Sequence, residues 1–343
     1  MVTCSFCGRK AVYINPLNGI SYCKLHFNSY LEKRVRKTIR KYNMFQSKEH
    51  IVVAVSGGKD SMGLLHVLNK LSKGNPDWAL TAILVDEGIS GYRDNTIANL
   101  KKYAQENNIE YKIVSFKEYI GLTLDEIVDR GRNLNLPYLP CSYCGVFRRY
   151  VLNKAARDVG GTVLATAHNL DDVVQTFLMN IISNSWEKIA RLKPVAEKGS
   201  HPNFVPRVKP FFEILEKESA VYALLNGLIQ PDYQQCPYAR FNIRFTIRKI
   251  INDLEEKYPG TKYGMLRSLE RILSIMEKSQ FKSGNEFKTC EVCGEPSSHP
   301  VCKACLYRYE LGLMSPEEEA RVKRAIDNNP YLKKFIINSN SSL

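Results

Sequence analysis

The sequence predicts an α/β protein in which a Rossmann-like parallel sheet is flanked by a zinc-binding module at each end of the chain. Strand and helix patterns alternate through the middle of the 343 residues, a Ser/Gly-rich turn follows the first of these strands, and cysteine pairs lie near both ends. We predict six segments: an N-terminal zinc finger over 1–28, a basic linker helix over 29–48, a central domain over 49–257, a helical connector over 258–285, a C-terminal zinc finger over 286–310, and a helix with a polar tail over 311–343.

The alternation of elements predicts the sheet and the place of its site. Strands are expected over 51–55, 79–85, 111–116 and 162–165, and helices over 62–68, 95–106 and 147–158 and after Asp172. This order is typical of a parallel sheet covered on both faces, whose ligands bind at the carboxyl ends of the strands. We therefore expect the Ser/Gly turn, Asp86 and the segment 168–172 to converge on one crevice.

The charge of the chain indicates a class of partner. Lys and Arg total 49 and Asp and Glu total 35, which gives a net charge of +14. A surplus of this size favours a polyanionic partner, either nucleic acid or an anionic membrane. No run reaches the roughly 18 apolar residues needed to span a bilayer, and the N-terminus has no signal-peptide core. We expect a soluble, cytoplasmic protein without a membrane segment.

Two sets of residues have the spacing of tetrahedral zinc ligands. The N-terminal set is Cys4, Cys7, Cys23 and His26, and the C-terminal set is Cys290, Cys293, Cys302 and Cys305. Redox dithiols or incidental cysteines are the alternative, but two paired knuckles at each end favour zinc in a cytosolic chain.

Three of the ten cysteines remain outside these sets: Cys141, Cys144 and Cys236. A structural zinc site normally has four protein ligands, so three thiolates leave one coordination position open. Two interpretations stay open at this point. The cysteines hold an iron–sulfur cluster with one exchangeable iron, or Cys141 and Cys144 form a redox pair beside an uninvolved Cys236.

The Ser/Gly turn has the composition of a phosphate-binding loop. It consists of Ser56, Gly57, Gly58, Lys59, Asp60 and Ser61. The glycines allow close approach of a ligand to backbone N–H groups, and the start of the following helix adds positive potential. The glycine spacing differs from that of the common P-loop.

Two adjacent acids, Asp171 and Asp172, begin the helix after the fourth strand. Capping of the helix is one explanation. The other is that at least one of them binds magnesium or nucleotide phosphates, or moves a proton. Their place at a strand end favours the second explanation.

Together these motifs resemble a known family. The turn 56–61 resembles the pyrophosphate loop of the N-type ATP pyrophosphatases. With Cys141-Ser-Tyr-Cys144-Gly, the segment 168–172, Cys236-Pro-Tyr and both terminal zinc sets, the chain resembles the tRNA 2-thiouridine synthetases of the TtcA/TtuA superfamily, which include the cytoplasmic tRNA thiolation proteins of archaea and eukaryotes. The resemblance covers about residues 1–310.

The resemblance implies roles for the matching residues. The turn 56–61 would bind ATP and release pyrophosphate, and Ala54, Val85 and Ala167 would line the adenosine site. The three central cysteines would hold a 4Fe–4S cluster, and the two zinc ions would be structural. Arg148 stands where some relatives have a functional lysine; it keeps the charge but does not release a proton. Relatives are often dimers, so a homodimer is expected.

Three basic stretches are candidates for RNA contact. They are the helix face with Arg34, Arg36, Lys37, Arg40 and Lys41; the stripe Arg240, Arg244 and Arg248; and the loop 188–209. Each could be a merely solvated face, but three of them on a strongly basic chain favour phosphate contacts.

We therefore predict an ATP-dependent tRNA sulfurtransferase that makes 2-thiouridine. ATP binds with Mg²⁺ at the turn 56–61, and the uracil 2-oxygen attacks the α-phosphorus. Sulfur then replaces the activated oxygen, with sulfide or a ubiquitin-like thiocarboxylate carrier as donor. Asp60, Asp171, Asp172 and Arg148 are expected to handle metal, proton and charge.

Other functions remain possible from the sequence alone. They are a thiolase that uses a Cys141/Cys144 persulfide without a cluster, a non-catalytic RNA-binding zinc protein, and a lysidine-type synthetase. The modified uridine, at the anticodon wobble position or in the T-loop, stays open.

Overall fold

The computed structural model describes residues 1–195, 199–229, 236–238, 243–279, 281, 287–329 and 332. Its strands are β1 Tyr13–Ile14, β2 Ser21–Tyr22, β3 Glu49–Ala54, β4 Trp78–Asp86, β5 Glu110–Ser115, β6 Val163–Ala165, β7 Arg207–Val208, β8 Lys288–Thr289 and β9 Pro296–Ser297. Its helices are α1 Lys24–Lys41, α2 Lys59–Ser72, α3 Asp94–Asn107, α4 Phe116–Ile120, α5 Leu124–Asn133, α6 Pro140–Asp158, α7 Leu170–Ile182, α8 Trp186–Ala190, α9 Glu216–Leu225, α10 Arg244–Lys257, α11 Thr261–Lys278, α12 Lys303–Glu310 and α13 Pro316–Asn328.

Five parallel strands form the central sheet in the order β5-β4-β3-β6-β7. The chain runs outward from β3 to β5 and then returns to β6 on the other side of β3. The loops after β3 and β6 therefore diverge and leave a crevice at the carboxyl edge of the sheet, where doubly wound sheets bind ligands. The predicted parallel sheet is confirmed, and β3 to β6 lie within two residues of the predicted bounds. The short strand β7 was not predicted and lies in the basic stretch 188–209, which we expected to be a loop.

The central strand β3 packs its side chains alternately on the two faces of the sheet. Ile51 and Val53 lie in one core with α1, α2 and α9, whereas Val52 lies in a second core with α5, α6 and α12. All three side chains are fully buried. Helices thus cover both faces, which is why the strand is a continuous apolar run rather than an alternating one.

Helix α1 belongs to the central domain and is not the linker that we predicted. Its apolar residues Phe27, Leu31, Val35 and Ile39 recur at helical spacing and are buried. They pack in the same core as the inner side chains of β3. The opposite face of α1 is basic and exposed, and this charge run suggested a linker in the sequence.

Helix α6 begins at Pro140, seven residues before the predicted start. Proline is favoured in the first turn of a helix, because its missing N–H would have no intrahelical partner there. Consequently Cys141 and Cys144 lie three residues apart on one face of α6, near its start, and not in the loop before it.

The two terminal modules pack on different parts of the central domain. In the N-terminal module the Tyr13 ring lies 4.8 Å from that of Phe27 in α1. In the C-terminal module the Tyr307 ring lies 4.9 Å from that of Tyr143 in α6. The C-terminal module therefore supports the helix that carries Cys141 and Cys144, and the N-terminal module does not.

Among the described residues, no helix is both long and apolar enough to cross a bilayer.

Candidate active site and metal centres

The Ser/Gly turn follows β3, and its backbone at position 57 has a conformation that only glycine adopts readily. Gly57 has φ +78°, and a Cβ on it would lie 2.3 Å from Cβ of Thr96 in α3. Inside the turn the Ser61 hydroxyl accepts a hydrogen bond from the Ser56 N–H and donates one to the Gly58 carbonyl. The turn is thus held in shape before any ligand binds.

Lys59 is the cation of this turn, and two carboxylates hold it. Its Nζ lies 2.7 Å from an Asp60 oxygen and 2.9 Å from a Glu216 oxygen. Although burial works in the other direction, the two acids raise the pKa of Lys59 above its ordinary value. Ser219 donates to Asp60, and Arg248 donates to both carboxylate oxygens of Glu216. A network of ion pairs therefore connects the Ser/Gly turn to α9 and α10.

Asp172 caps its helix and also presents its carboxylate to the crevice. It forms a capping box with Asn169, whose side chain accepts from the Asp172 N–H at 3.0 Å. Its carboxylate also faces the crevice, where Arg244 lies 3.7 Å away. Desolvation by the crevice walls, together with the nearby Asp60 and Glu216, raises the pKa of Asp172 to about 6.

Asp171 points away from the crevice. It is 2 % exposed, forms an ion pair with Lys262 of α11, and accepts a hydrogen bond from the Glu216 N–H at 2.8 Å. These contacts tie α7 to α9 and α11. The predicted metal or proton role of Asp171 does not fit this geometry, because both carboxylate oxygens are occupied inside the protein.

The other predicted nucleotide contacts lie at the ends of neighbouring strands. Ala54 ends β3, Val85 and Asp86 end β4, and Ala167 follows β6. The Asp86 carboxylate accepts from the Gly88 N–H at 2.8 Å, so this acid also shapes its own turn. The sheet brings these positions to the same edge as the phosphate turn.

The central cysteines gather beside the start of α6. Arg148 donates from Nη2 to the Cys144 sulfur at 2.9 Å, and the Cys141 sulfur lies 3.7 Å from the Tyr238 carbonyl. Cys236, two residues before Tyr238, packs half-buried against the same core. The fold thus brings together three cysteines that are separated by up to 95 positions in the sequence.

The terminal sets fit zinc. In each set the four ligand atoms all lie within 4.8 Å of one another. The sulfurs of Cys7 and Cys23 are 3.6 Å apart and those of Cys293 and Cys302 are 3.7 Å apart. Zn–S bonds of about 2.3 Å in a tetrahedron place sulfurs roughly 3.8 Å apart. His26 Nδ1 lies 3.4 Å from two of the sulfurs, as expected of a fourth ligand.

Comparison with known proteins agrees with this site. Residues 27–229 match the family described as the PP-loop domain. The tRNA-5-methyluridine(54) 2-sulfurtransferase of Pyrococcus horikoshii is 35% identical, over 89% of this chain and 93% of that protein. The tRNA 2-thiolation protein NcsA of Haloferax volcanii is 32% identical, over 88% of this chain and 97% of that protein.

The chain belongs to the PP-loop family of tRNA 2-thiolation proteins.

A solved structure of this family is similar throughout. It is the U34-tRNA thiolase NcsA from Methanococcus maripaludis with its 4Fe-4S cluster, which is 37% identical and has a TM-score of 0.76. The similarity covers 92% of this chain and 98% of that one. The family match begins at residue 27 and so includes most of α1, in agreement with the packing of that helix in the domain core.

Several cations that we predicted to contact RNA form contacts inside the protein instead. Arg34 was expected to contact RNA, but it pairs with the buried Glu218 and donates to the Tyr263 hydroxyl at 2.6 Å. Arg244 and Arg248 contact acids of the crevice. Arg240 lies outside the described residues. Of the helix α1 cations, Arg36, Lys37 and Arg40 remain exposed as predicted.

Part of the third basic stretch lies at the crevice. Lys209 directly follows β7, and its Nζ donates to the Lys193 carbonyl at 2.8 Å. Arg207 donates to the Arg149 carbonyl at 3.1 Å, and its buried Nε has no hydrogen-bond partner in the described part of the chain. Burial and the charge of Arg207 lower the pKa of Lys209 to about 8. Burial and the charge of Arg149 lower the pKa of Arg207 to about 10. These cations create a positive wall that suits an anionic ligand.

Several side chains of the site were not predicted from the sequence. Glu216 and Lys262 come from helices far along the chain, and no local pattern marks them. Glu87 could have been found from the sequence, because it follows Asp86 at a strand end, where such sheets bind ligands. Its partner Arg93 has no such signal.

Proposed function

We propose that this protein is an ATP-dependent tRNA uridine 2-sulfurtransferase. The observation that carries the proposal is that two half-sites lie in contact in one crevice. One half-site is the Ser/Gly turn 56–61, which we call the phosphate turn, and the other is the cysteine site beside α6, which we call the sulfur site. Arg93 donates to the carbonyl of Ser56 in the phosphate turn, Arg148 donates to the sulfur of Cys144, and Glu87 binds both arginines. A phosphate-binding turn and a cysteine site in contact fit a reaction that activates an oxygen and replaces it with sulfur.

The first half of the proposed reaction takes place at the phosphate turn. The uracil 2-oxygen forms a bond to the α-phosphorus of ATP, and the bond to the pyrophosphate breaks. Lys59 and the N–H groups of the turn stabilise the negative charge that accumulates on the leaving pyrophosphate. Asp60 and Glu216 keep Lys59 protonated and oriented until the nucleotide arrives.

Magnesium would be held by the carboxylates around this turn. Asp60, Glu216 and Asp172 approach closely enough for the first two to raise the pKa of the third. Oxygen donors of this kind suit Mg²⁺, which prefers carboxylate and phosphate ligands. Asp171 is then a positioning residue, because it fixes the N–H of Glu216.

The second half of the reaction takes place beside α6. A sulfur nucleophile attacks carbon 2 of the activated base, and AMP leaves with the original oxygen. Arg148, which lies against Cys144 and stays charged throughout, stabilises the negative charge on the departing phosphate.

The three central cysteines would hold a 4Fe–4S cluster. Among the described residues, only the two terminal sets bring three or more ligand atoms within 4.8 Å of one another. Cys141, Cys144 and Cys236 do not form such a set, and in a 4Fe–4S cluster each of them would bind a different iron. When bound, such a cluster supplies an iron with an open position that binds sulfur.

The tRNA would approach over the positive wall of the crevice. Arg149, Arg207 and Lys209 offer charge near the strand ends, and Arg36, Lys37 and Arg40 offer a second exposed face. Backbone phosphates are the natural ligands of both surfaces, and the target uridine is presented out of its stack.

Further features complete the proposal. The two zinc ions are structural, the sulfur donor is sulfide or a ubiquitin-like thiocarboxylate carrier, and the active form is a cytoplasmic homodimer. Relatives named for positions 34 and 54 of tRNA are both similar to this chain, so either position is a candidate.

The path of the oxygen tests the proposal. We would supply tRNA labelled with ¹⁸O at the uridine 2-position, together with ATP and sulfide, and analyse the products by mass spectrometry. The proposal predicts one ¹⁸O in each AMP formed. Unlabelled AMP beside thiolated tRNA would contradict activation of the base by adenylation. Thiolation by iron-free protein at the full rate would favour the persulfide alternative.

A further inference from the structure

Glu87 is a fully buried acid that the reaction as described does not use. It lies at the end of β4 with 0% of its surface exposed. Arg93 donates to one carboxylate oxygen from Nε at 2.6 Å and to the other from Nη2 at 2.7 Å. Arg148 approaches the second oxygen at 2.7 Å. One carboxylate thus holds two guanidinium groups.

Each of these arginines contacts a different half-site. Arg93 Nη1 donates to the Ser56 carbonyl at 2.5 Å, at the start of the phosphate turn. Arg148 Nη2 donates to the Cys144 sulfur at 2.9 Å, near the start of α6. A continuous set of contacts therefore runs from the phosphate turn through Glu87 to a cysteine of the sulfur site.

The positions of Arg93 and Arg148 depend on the negative charge of Glu87. The two guanidinium groups repel each other, and both bind oxygens of the same carboxylate. Without the negative charge, two cations would face each other in a desolvated site, and at least one would have to move. Either movement displaces a contact to Ser56 or to Cys144.

We propose that Glu87 is a positioning residue that sets the phosphate turn and the sulfur site at a fixed distance from each other. The predicted effect on kcat rests on the function proposed above. The predicted effects on ATP binding and on the spectrum of the cluster can be measured without turnover. Residues that orient a metal site from outside typically change activity or metal affinity by ~10–100-fold.

The experiment compares Glu87→Gln with Glu295→Gln. Glu295 is a matched control, because it is also a buried acid, 4% exposed, and it pairs with Arg157 on the same helix α6 at 2.5 Å. It contacts neither half-site. Glu87→Asp is the second variant; it keeps the charge but is too short to reach both arginines.

Three readouts are measured on the full chain. They are the ATP dissociation constant of the cluster-free protein, the electron paramagnetic resonance spectrum of the reduced, reconstituted protein, and kcat and KM for tRNA. We expect Glu87→Gln to weaken ATP binding severalfold, to change the spectrum, and to lower kcat by ~10–100-fold with little change in KM. Glu87→Asp should lie between Gln and the wild type, and Glu295→Gln should lower the melting temperature alone.

The outcome separates this proposal from the proposed function. If Glu87→Gln matches Glu295→Gln in ATP binding and in the spectrum, Glu87 is only a structural residue and the inference is overturned. If wild-type protein does not thiolate tRNA, the function fails, while the binding and spectral measurements still decide the role of Glu87.

Discussion

The Nζ of Lys59 lies 2.9 Å from a carboxylate oxygen of Glu216, which begins a helix 157 positions later in the chain. Arg248 binds the same carboxylate at 2.8 Å. Glu216 therefore links the cation of the Ser/Gly turn to α10 through one carboxylate. The contact ties the helical region after the sheet to the turn after β3.

Loss of Lys59 should affect the activation of the base and leave the sulfur site unchanged. We expect Lys59→Ala to lower pyrophosphate release by ~10²–10³-fold, because one group that stabilises the leaving charge is lost. Iron content should remain that of the wild type, because no cysteine contacts Lys59. Lys70→Ala is the control: Lys70 lies on the same helix, and its side chain pairs with the half-buried Glu32, away from the turn. Thiolation by Lys59→Ala at the wild-type rate would remove the turn from the mechanism.

Loss of a central cysteine should have the opposite effect. We expect Cys141→Ala, Cys144→Ala and Cys236→Ala each to lose iron and thiolation. Both zinc ions and ATP binding should persist, because the three sites use separate ligands. Metal analysis by mass spectrometry beside an ATP-binding assay gives the result. Full iron content and activity in Cys236→Ala would refute the three-cysteine site.

The two terminal modules, which we propose to bind zinc, should differ in their effect on the sulfur site. Cys302→Ser removes a ligand from the module that packs on α6 through Tyr307. We expect the melting temperature to fall by roughly 10 °C and the iron content to drop, because zinc binding is coupled to folding.

Cys7→Ser is the matched control for this change. It removes zinc from the module that packs on α1, so the iron content should stay near that of the wild type. Equal loss of iron in both variants would show that the C-terminal module has no special link to α6.

Binding of tRNA should weaken as pH rises. Burial and Arg207 lower the pKa of Lys209 to about 8, so its charge is present at pH 7 and is lost above pH 8. If a phosphate needs this charge, affinity should fall about tenfold between pH 7 and pH 9 by proton linkage. Lys209→Arg should abolish that dependence, because arginine stays protonated.

A salt titration provides an independent check of the same contact. Lys209→Ala should reduce the slope of log affinity against log salt by about 1, as for one lost phosphate contact. Lys102→Ala is the control, because Lys102 is exposed and pairs with Glu106 on α3. An unchanged slope and an unchanged pH profile in the Lys209 variants would place the RNA elsewhere.

The sheet and the local motifs could be predicted because their causes are local. Apolar runs indicate β3, β4 and β5, and the knuckle spacing of Cys290 and Cys293 reflects the geometry of a single metal ion. The phosphate turn was visible because Gly57 needs a positive φ and has no room for a Cβ. These features are encoded within a few consecutive residues.

The remaining parts of the site depend on contacts between distant segments. No local pattern shows that Asp171 pairs with Lys262, or that Arg34 reaches Glu218 across 184 positions. The basic face of α1 looked like an RNA surface because charge is visible in a sequence, whereas the partner that buries a charge is not. Capping by Asp172 was one of two explanations open from the sequence, and its approach to Asp60 and Glu216 could be seen only in the fold.

The central claim is that ATP activates a tRNA uridine and that sulfur then replaces its oxygen. The most direct test is the stoichiometry of the complete reaction, measured with reconstituted protein, tRNA, ATP and sulfide under anaerobic conditions. Our account predicts one AMP and one pyrophosphate for each 2-thiouridine formed, and no AMP without tRNA. Formation of ADP in place of AMP, or AMP without any thiouridine in the presence of sulfide, would contradict it.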